Sequence, residues 1–106
     1  MYDNINFMSK KERDRYIVLK DREKHGLIKD LKLQVHYEIT PSYELNGKKI
    51  QKSEYIADFV YMQKLDGDIP MWKEVVEDVK GYKTQEYKLK KKWIGYRYHV
   101  EIKEIY

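Results

Sequence analysis

Leu31, Leu33, Val35, Tyr37 and Ile39 alternate with polar residues through "LKLQVHYEI". A period of two puts these side chains on one side of a strand, which leaves one face apolar and the other wet. Such a strand is stable only under a cover, so the chain must build a sheet with something packed on it. Two helical stretches can supply covers. "SKKERDRYIVLKDREKHG" (9–26) has Ser9 and Glu12 at capping-box spacing and Gly26 as a stop. "TQEYKLKKKWIG" (84–95) has Thr84 as N-cap and Gly95 as a stop.

The other strands follow from turn signals. Asn46-Gly47 is a hairpin turn. The strand after it, about 48–62, contains "EYIADFVYM" and is apolar on both faces, which places it centrally. "KLDGDIPM" (64–71) turns the chain, and "WKEVVEDVKG" (72–81) returns it. "YRYHVEIKEIY" (96–106) alternates again as the last strand. The expected order is α-β-β-β-α-β in an α/β domain with a mixed central sheet, one domain over 1–106.

Composition narrows the function classes. Charged residues make up 38% and the mean hydropathy is −0.89, yet aromatics are 14%, with eleven tyrosines, which argues for a folded chain with a wet surface. There is no cysteine, so disulfides and thiolate metal sites are excluded. No stretch approaches the ~20 apolar residues of a membrane span. The opening residues lack an apolar signal core, so neither a membrane partner nor export is expected. Net charge is +4, mildly basic and compatible with a nucleic-acid partner.

The chemistry sits in "VVEDVKGYKT". A hairpin centred on Asp68 sets Asp58 opposite Asp78, with Lys80 on the same face two residues on. Two facing carboxylates repel, and a divalent cation removes that penalty. All-oxygen ligation with partial hydration suits Mg²⁺, with Mn²⁺ as a substitute. A cation held by carboxylates can polarise a phosphoryl oxygen and activate water, and a lysine beside it can orient that water. This equipment suits phosphodiester hydrolysis. Glu12 adds a third acid if the first helix packs at that end of the sheet; otherwise it closes the capping box with Ser9. Asp58 and Lys80 could equally form a structural cross-strand ion pair. Glu77, on the opposite face from Asp78, is expected to face solvent or cap a neighbour.

Asp58 followed by Asp78-x-Lys80, on this element order, resembles the PD-(D/E)XK nuclease superfamily, with Glu12 matching the acid its first helix often supplies. More narrowly, "SKKERDRY", "GLIKDLKLQVHYEI", "YIADFVY", "VVEDVKGYKTQEYKLKKK" and "IKEI" resemble small phage and prophage proteins related to Holliday-junction resolvases. Two departures stand out: Ala57 precedes Asp58 where the superfamily name has proline, and Met8 stands where such proteins often carry Asp. The resemblance implies a restriction-endonuclease-like core and a Mg²⁺-dependent endonuclease acting on branched DNA in recombination or replication. It implies that Asp58, Asp78, Glu12 and the Val79 carbonyl ligate metal, and that Lys80 acts on the attacking water. A homodimer follows from the need for two cuts, and the cytoplasm of a bacterial host from a phage origin.

Lys83, Lys88, Lys90, Lys91, Lys92 and Arg97 form a basic cluster, either a solvated helix face or a phosphate-backbone contact. Tyr82, Tyr87, Trp93, Tyr96 and Tyr98 are expected mostly in the core, with one or two free to stack on unpaired bases. His25, His36 and His99 lack ligand spacing, and "DGD" at 66–68 is a turn rather than a calcium loop. Gln34 and Thr84 recur in the resembling stretches without an evident role.

Overall fold

The computed structural model describes residues 2–80 and 83–106. Helix α1 (Lys10–Lys24) starts at Ser9, whose hydroxyl accepts from the Glu12 amide at 3.1 Å. Strand β1 (Ile28–Thr40) leads to a small hairpin, β2 (Tyr43–Leu45) and β3 (Lys48–Ile50). Strands β4 (Ser53–Leu65) and β5 (Met71–Val79), helix α2 (Gln85–Tyr98) and strand β6 (Ile102–Ile105) complete the chain. The main sheet has the order β1-β4-β5-β6. Its first three strands form an antiparallel meander, and β6 lies parallel to β5 after the α2 crossover. The architecture is therefore mixed α/β, with a mixed central sheet and two helices.

Each helix covers one face of the sheet. Tyr16 and Leu19 of α1 pack with Ile28, Phe59 and Tyr61. Tyr87 and Ile94 of α2 pack with Ile39, Tyr55, Ala57, Val60, Val76 and Ile102. Val60 and Tyr61 are neighbours in β4 yet join different clusters, because successive strand side chains point to opposite faces. That is why β4 reads as apolar on both sides and lies between β1 and β5.

Three boundaries differ from the sequence expectation. The segment 48–62 is two strands: Asn46 (φ +51°) and Gly47 (φ +77°) close the separate β2–β3 hairpin, and β4 begins at Ser53. Both turn residues have positive φ, as a two-residue type I′ turn requires. Helix α2 runs past Gly95 to Tyr98 and ends on His99, which takes the left-handed conformation (φ +56°). A glycine inside a helix costs only about 1 kcal/mol, less than burial of the preceding Ile94 returns. The last strand is consequently confined to Ile102–Ile105 rather than 96–106.

The β4–β5 register matches the expected hairpin. The ladder runs from Leu65↔Met71 to Phe59↔Glu77; Asp58 and Asp78 lie one step past its last pair, with their side chains in contact. At that end the Val79 amide donates to Asp58 Oδ2 at 2.8 Å.

Candidate functional site

An open cleft of ≈ 560 Å³ lies where the end of β5, the middle of β4, the start of α1 and the first turns of α2 meet. Glu12, Asp58, Asp78, Val79 and Lys80 all line it. Residues separated by as many as 68 positions thus face one space. Each arrives by a local rule. Asp58 and Asp78 come by strand register. Lys80 comes by two-residue alternation from Asp78. Glu12 comes by the helical stripe it shares with Tyr16 and Leu19, at i, i+4 and i+7, which is the buried face of α1. Only half of a capping box forms. Ser9 caps the Glu12 amide, while the Glu12 carboxylate turns inward and accepts from Gln34.

Gln34 ties the acids together. Its side-chain amide donates to Glu12 Oε1 at 3.0 Å and approaches Asp58 Oδ1 at 3.5 Å. Its backbone has φ +52° in mid-strand, a region unfavourable by roughly 1–2 kcal/mol for an L residue with a Cβ. That sparsely populated conformation lies at the point where β1 passes the acids. Thr84 caps α2 by accepting from the Tyr87 amide at 3.0 Å, and its residue also lines the cleft.

Asp78 is 5% exposed and held from two sides. The Tyr55 hydroxyl donates to its Oδ2, and Lys80 Nζ lies 3.1 Å from the same oxygen. Lys80 therefore pairs with Asp78 rather than bridging to Asp58. The ammonium also sits 3.6 Å from the centroid of the Tyr87 ring, whose hydroxyl donates to Glu104. Burial and the bond to Asp78 keep the Tyr55 hydroxyl far above the usual phenol range, so it remains a donor.

The charge balance is unfavourable for two ionised acids. Burial first, then contact with Asp78, pushes the Asp58 carboxyl up to about 7, although the Val79 amide acts in the other direction. Burial also raises Glu12, the charge of Asp78 adds to that, and the Gln34 bond opposes it. A divalent cation would relieve this repulsion, and an all-oxygen donor set fits a hard ion. Among the described residues, no three carboxylate or imidazole groups are gathered tightly enough to cage an ion alone. The donors present fit an ion held by Asp58 and Asp78 that keeps most of its water, which is the habit of Mg²⁺.

On the other face of β5, Glu77 is fully buried, not solvent-facing. Arg15 of α1 grips it with two hydrogen bonds, 2.8 and 2.7 Å, and the Tyr61 hydroxyl donates to it as well. The ion pair is affordable because both carboxylate oxygens have donors. It pins α1 to the strand that carries Asp78, one helical turn beyond Glu12. Arg15, Tyr55 and Tyr61 were not singled out from sequence; the one signal was an arginine three residues after Glu12.

The basic cluster divides. Lys83 and Lys91 both pair with Glu104, at 3.1 and 3.3 Å. Arg97 donates to the Ile39 carbonyl and lies 3.7 Å from Glu38. Lys90 lines the cleft and pairs with exposed Glu86 at 3.2 Å. Among the described residues, Lys88 and Lys92 have no carboxylate partner and are exposed. Of the aromatic residues expected in the core, Tyr87 is buried, while Trp93, Tyr96 and Tyr98 are exposed. Tyr82 lies outside the described residues. His25, His36 and His99 are all exposed. No helix among the described residues is long and apolar enough to cross a membrane.

A family model described as "Protein of unknown function (DUF1064)" matches residues 1–106, and the chain belongs to that family. No curated protein and no solved structure matches it.

Proposed function

We propose that this DUF1064 chain is a Mg²⁺-dependent DNA endonuclease of the PD-(D/E)XK type, with a restriction-endonuclease-like core, cutting branched DNA. The observation that carries the reading is the meeting of Glu12, Asp58, Asp78 and Lys80 in one open cleft, with Asp78 buried and Asp58 half-buried in contact with it. Asp58 and Asp78 are the residues that would hold Mg²⁺, or Mn²⁺ in its place, with the Val79 carbonyl and Glu12 as further donors. The ion, when bound, would supply the positive charge that polarises a phosphoryl oxygen and acidifies water.

The chain's own residues do the rest. Lys80 is fixed by Asp78 and by the Tyr87 ring, so its ammonium protons are presented to the cleft from a constrained position. From there Lys80 orients an attacking water or donates to a phosphate oxygen as charge develops. Tyr55 holds Asp78 against rotation, and Gln34 holds Glu12 and Asp58 at a shared boundary. The cleft is open enough for a backbone phosphate to enter from solvent. One chain offers one such site, so paired cuts in a pseudo-symmetric junction need a homodimer. If the chain is phage-encoded, it works in the cytoplasm of the bacterial host.

Cleavage of four-way junction and flap DNA with Mg²⁺ tests the reading, comparing wild type with Asp78→Asn. Wild type should nick and the variant should not; equal nicking by both removes Asp78 from the mechanism. A second reading is favoured by the lack of a closed three-ligand cage among the described residues: a nuclease-like fold kept as a DNA- or protein-binding module. Titration with Mn²⁺ by calorimetry separates the two, since the binding module predicts no metal heat.

A further inference from the structure

Helix α2 shows two faces of different character. Tyr87 and Ile94 are buried against the sheet. Directly opposite, Leu89, Trp93 and Tyr96 are 58%, 46% and 77% exposed. Trp93 and Tyr96 meet edge to face, with ring centroids 6.4 Å apart, beside a shallow groove of ≈ 440 Å³. Helical geometry sets Lys88 and Lys92 on the same outer side. These two are the lysines of the cluster without a carboxylate partner among the described residues. The outer face therefore combines aromatic rings with free cations; its one acid, Glu86, stands at its edge and is paired with Lys90.

The same helix connects this face to the cleft. Glu86 and Lys90 line the cleft, and Trp93 follows them at i+7 and i+3 along one edge of α2. A strand whose phosphate enters the cleft can continue along that edge onto the rings.

We propose that the outer face of α2 is a stacking platform for unpaired nucleic-acid bases, with Trp93 and Tyr96 as the stacking rings and Lys88 and Lys92 as phosphate contacts. This deepens the endonuclease reading, on which it rests for the identity of the polymer, by naming the part of a branched substrate that the chain grips. Charge selects this occupant over a second copy of the chain. A two-fold contact of this face with itself would bring Lys88 and Lys92 of both copies together, with Glu86, already paired with Lys90, as the one acid near them. A single strand supplies both the negative charge and the flat apolar surfaces that the face lacks partners for.

Binding without cleavage isolates the proposal. Fluorescence anisotropy in EDTA would compare a labelled oligo-dT with an intact duplex of equal length. Trp93→Ala and Tyr96→Ala should each weaken oligo-dT binding about tenfold or more, the range that stacking of one base supplies, and leave duplex binding nearly unchanged. Replacing both Lys88 and Lys92 by alanine should flatten the dependence of log affinity on log salt by about 1.4, roughly 0.7 per single-strand phosphate contact. All four side chains are exposed, so thermal melts should match wild type. Unchanged affinity in the Trp93 and Tyr96 variants overturns the proposal. So does a wild type that binds no oligo-dT but loses self-association, by sedimentation, in the Trp93 variant. An absence of nuclease activity leaves the binding result standing, whereas a nuclease whose oligo-dT affinity ignores both rings refutes the platform alone.

Discussion

Asp58→Asn should make the metal-free protein more stable at pH 8, not less. In wild type, Asp58 is pushed from 3.8 up to about 7 by burial and by Asp78. A raised carboxyl binds its proton more tightly in the folded state than in the unfolded chain. Its stabilising contribution is therefore complete below about pH 4 and is lost as pH rises through about 7. At about 1.4 kcal/mol per pH unit the ceiling is about 4 kcal/mol; the open cleft and solvent screening reduce this to about 2 kcal/mol. Glu12 is raised too, so its effect has the same sign. Glu54 and Glu104 are lowered, so their contribution to the folded state is complete above their unfolded range and nearly constant above about pH 5.

Asparagine removes the charge and keeps the local bonds. Its amide oxygen can accept from the Val79 amide as Asp58 Oδ2 does, and its NH₂ can donate toward Asp78. Urea unfolding in EDTA, at intervals from pH 4 to 8, would then show wild type losing about 2 kcal/mol across the range while Asp58→Asn stays nearly flat. The two curves should converge near pH 4, where Asp58 becomes protonated in both states. Added Mg²⁺ should restore wild type at pH 8, by about 2.7 kcal/mol at a hundred times Kd, and leave the variant unmoved. Wild-type stability that rises from pH 5 to 8, or a variant destabilised at pH 8, would refute the claim that Asp58 and Asp78 repel in an underneutralised site.

Breaking the Arg15–Glu77 pair by Arg15→Met should cost about 3–5 kcal/mol in urea unfolding, because it strands a fully buried carboxylate. The double change Arg15→Met with Glu77→Gln should recover part of that loss. Gln34→Gly should relieve the positive φ and hold or raise stability by about 1 kcal/mol, yet weaken Mn²⁺ binding in calorimetry; unchanged metal affinity would remove Gln34 from the site. Phe59→Ala, at a fully enclosed position in the α1 cluster, should cost about 3–5 kcal/mol by the same unfolding assay.

The hairpin of β4 and β5 was legible because alternation and turn chemistry are local. The turn around Gly67 and Asp68 sets the register, and the register sets which acids face each other. The start of α1 was legible for the same reason, since Ser9 announces its cap. Helix α2 shows where local signals run out. Apolar residues occur on both of its sides, so residue type alone could not distinguish buried Tyr87 and Ile94 from exposed Leu89, Trp93 and Tyr96. Nor could Gly95 be recognised as interior. Nothing in its surroundings requires glycine: where a Cβ would be, the nearest atom, the Val100 carbonyl oxygen, lies at an ordinary contact distance of 3.7 Å.

The burial of Glu77 was hidden for a deeper reason. Strand β5 places acids at adjacent positions, so alternation sends one carboxylate to each face of the sheet, and sequence cannot say which face receives a counter-charge. The answer depends on Arg15 crossing from a helix 62 positions away. That crossing also decides the chemistry on the opposite face. With Glu77 neutralised by Arg15 and Tyr61, the 76–78 end of β5 can be drawn into the core, and Asp78 is carried inward with it. Among the described residues Asp78 receives Lys80 and a neutral tyrosine, while Asp58 and Glu12 add negative charge beside it. One face of the strand is thus electrostatically closed and the other is left short of positive charge. It is this asymmetry between the two faces of β5, rather than the number of acids in the cleft, that gives the cleft its demand for a cation.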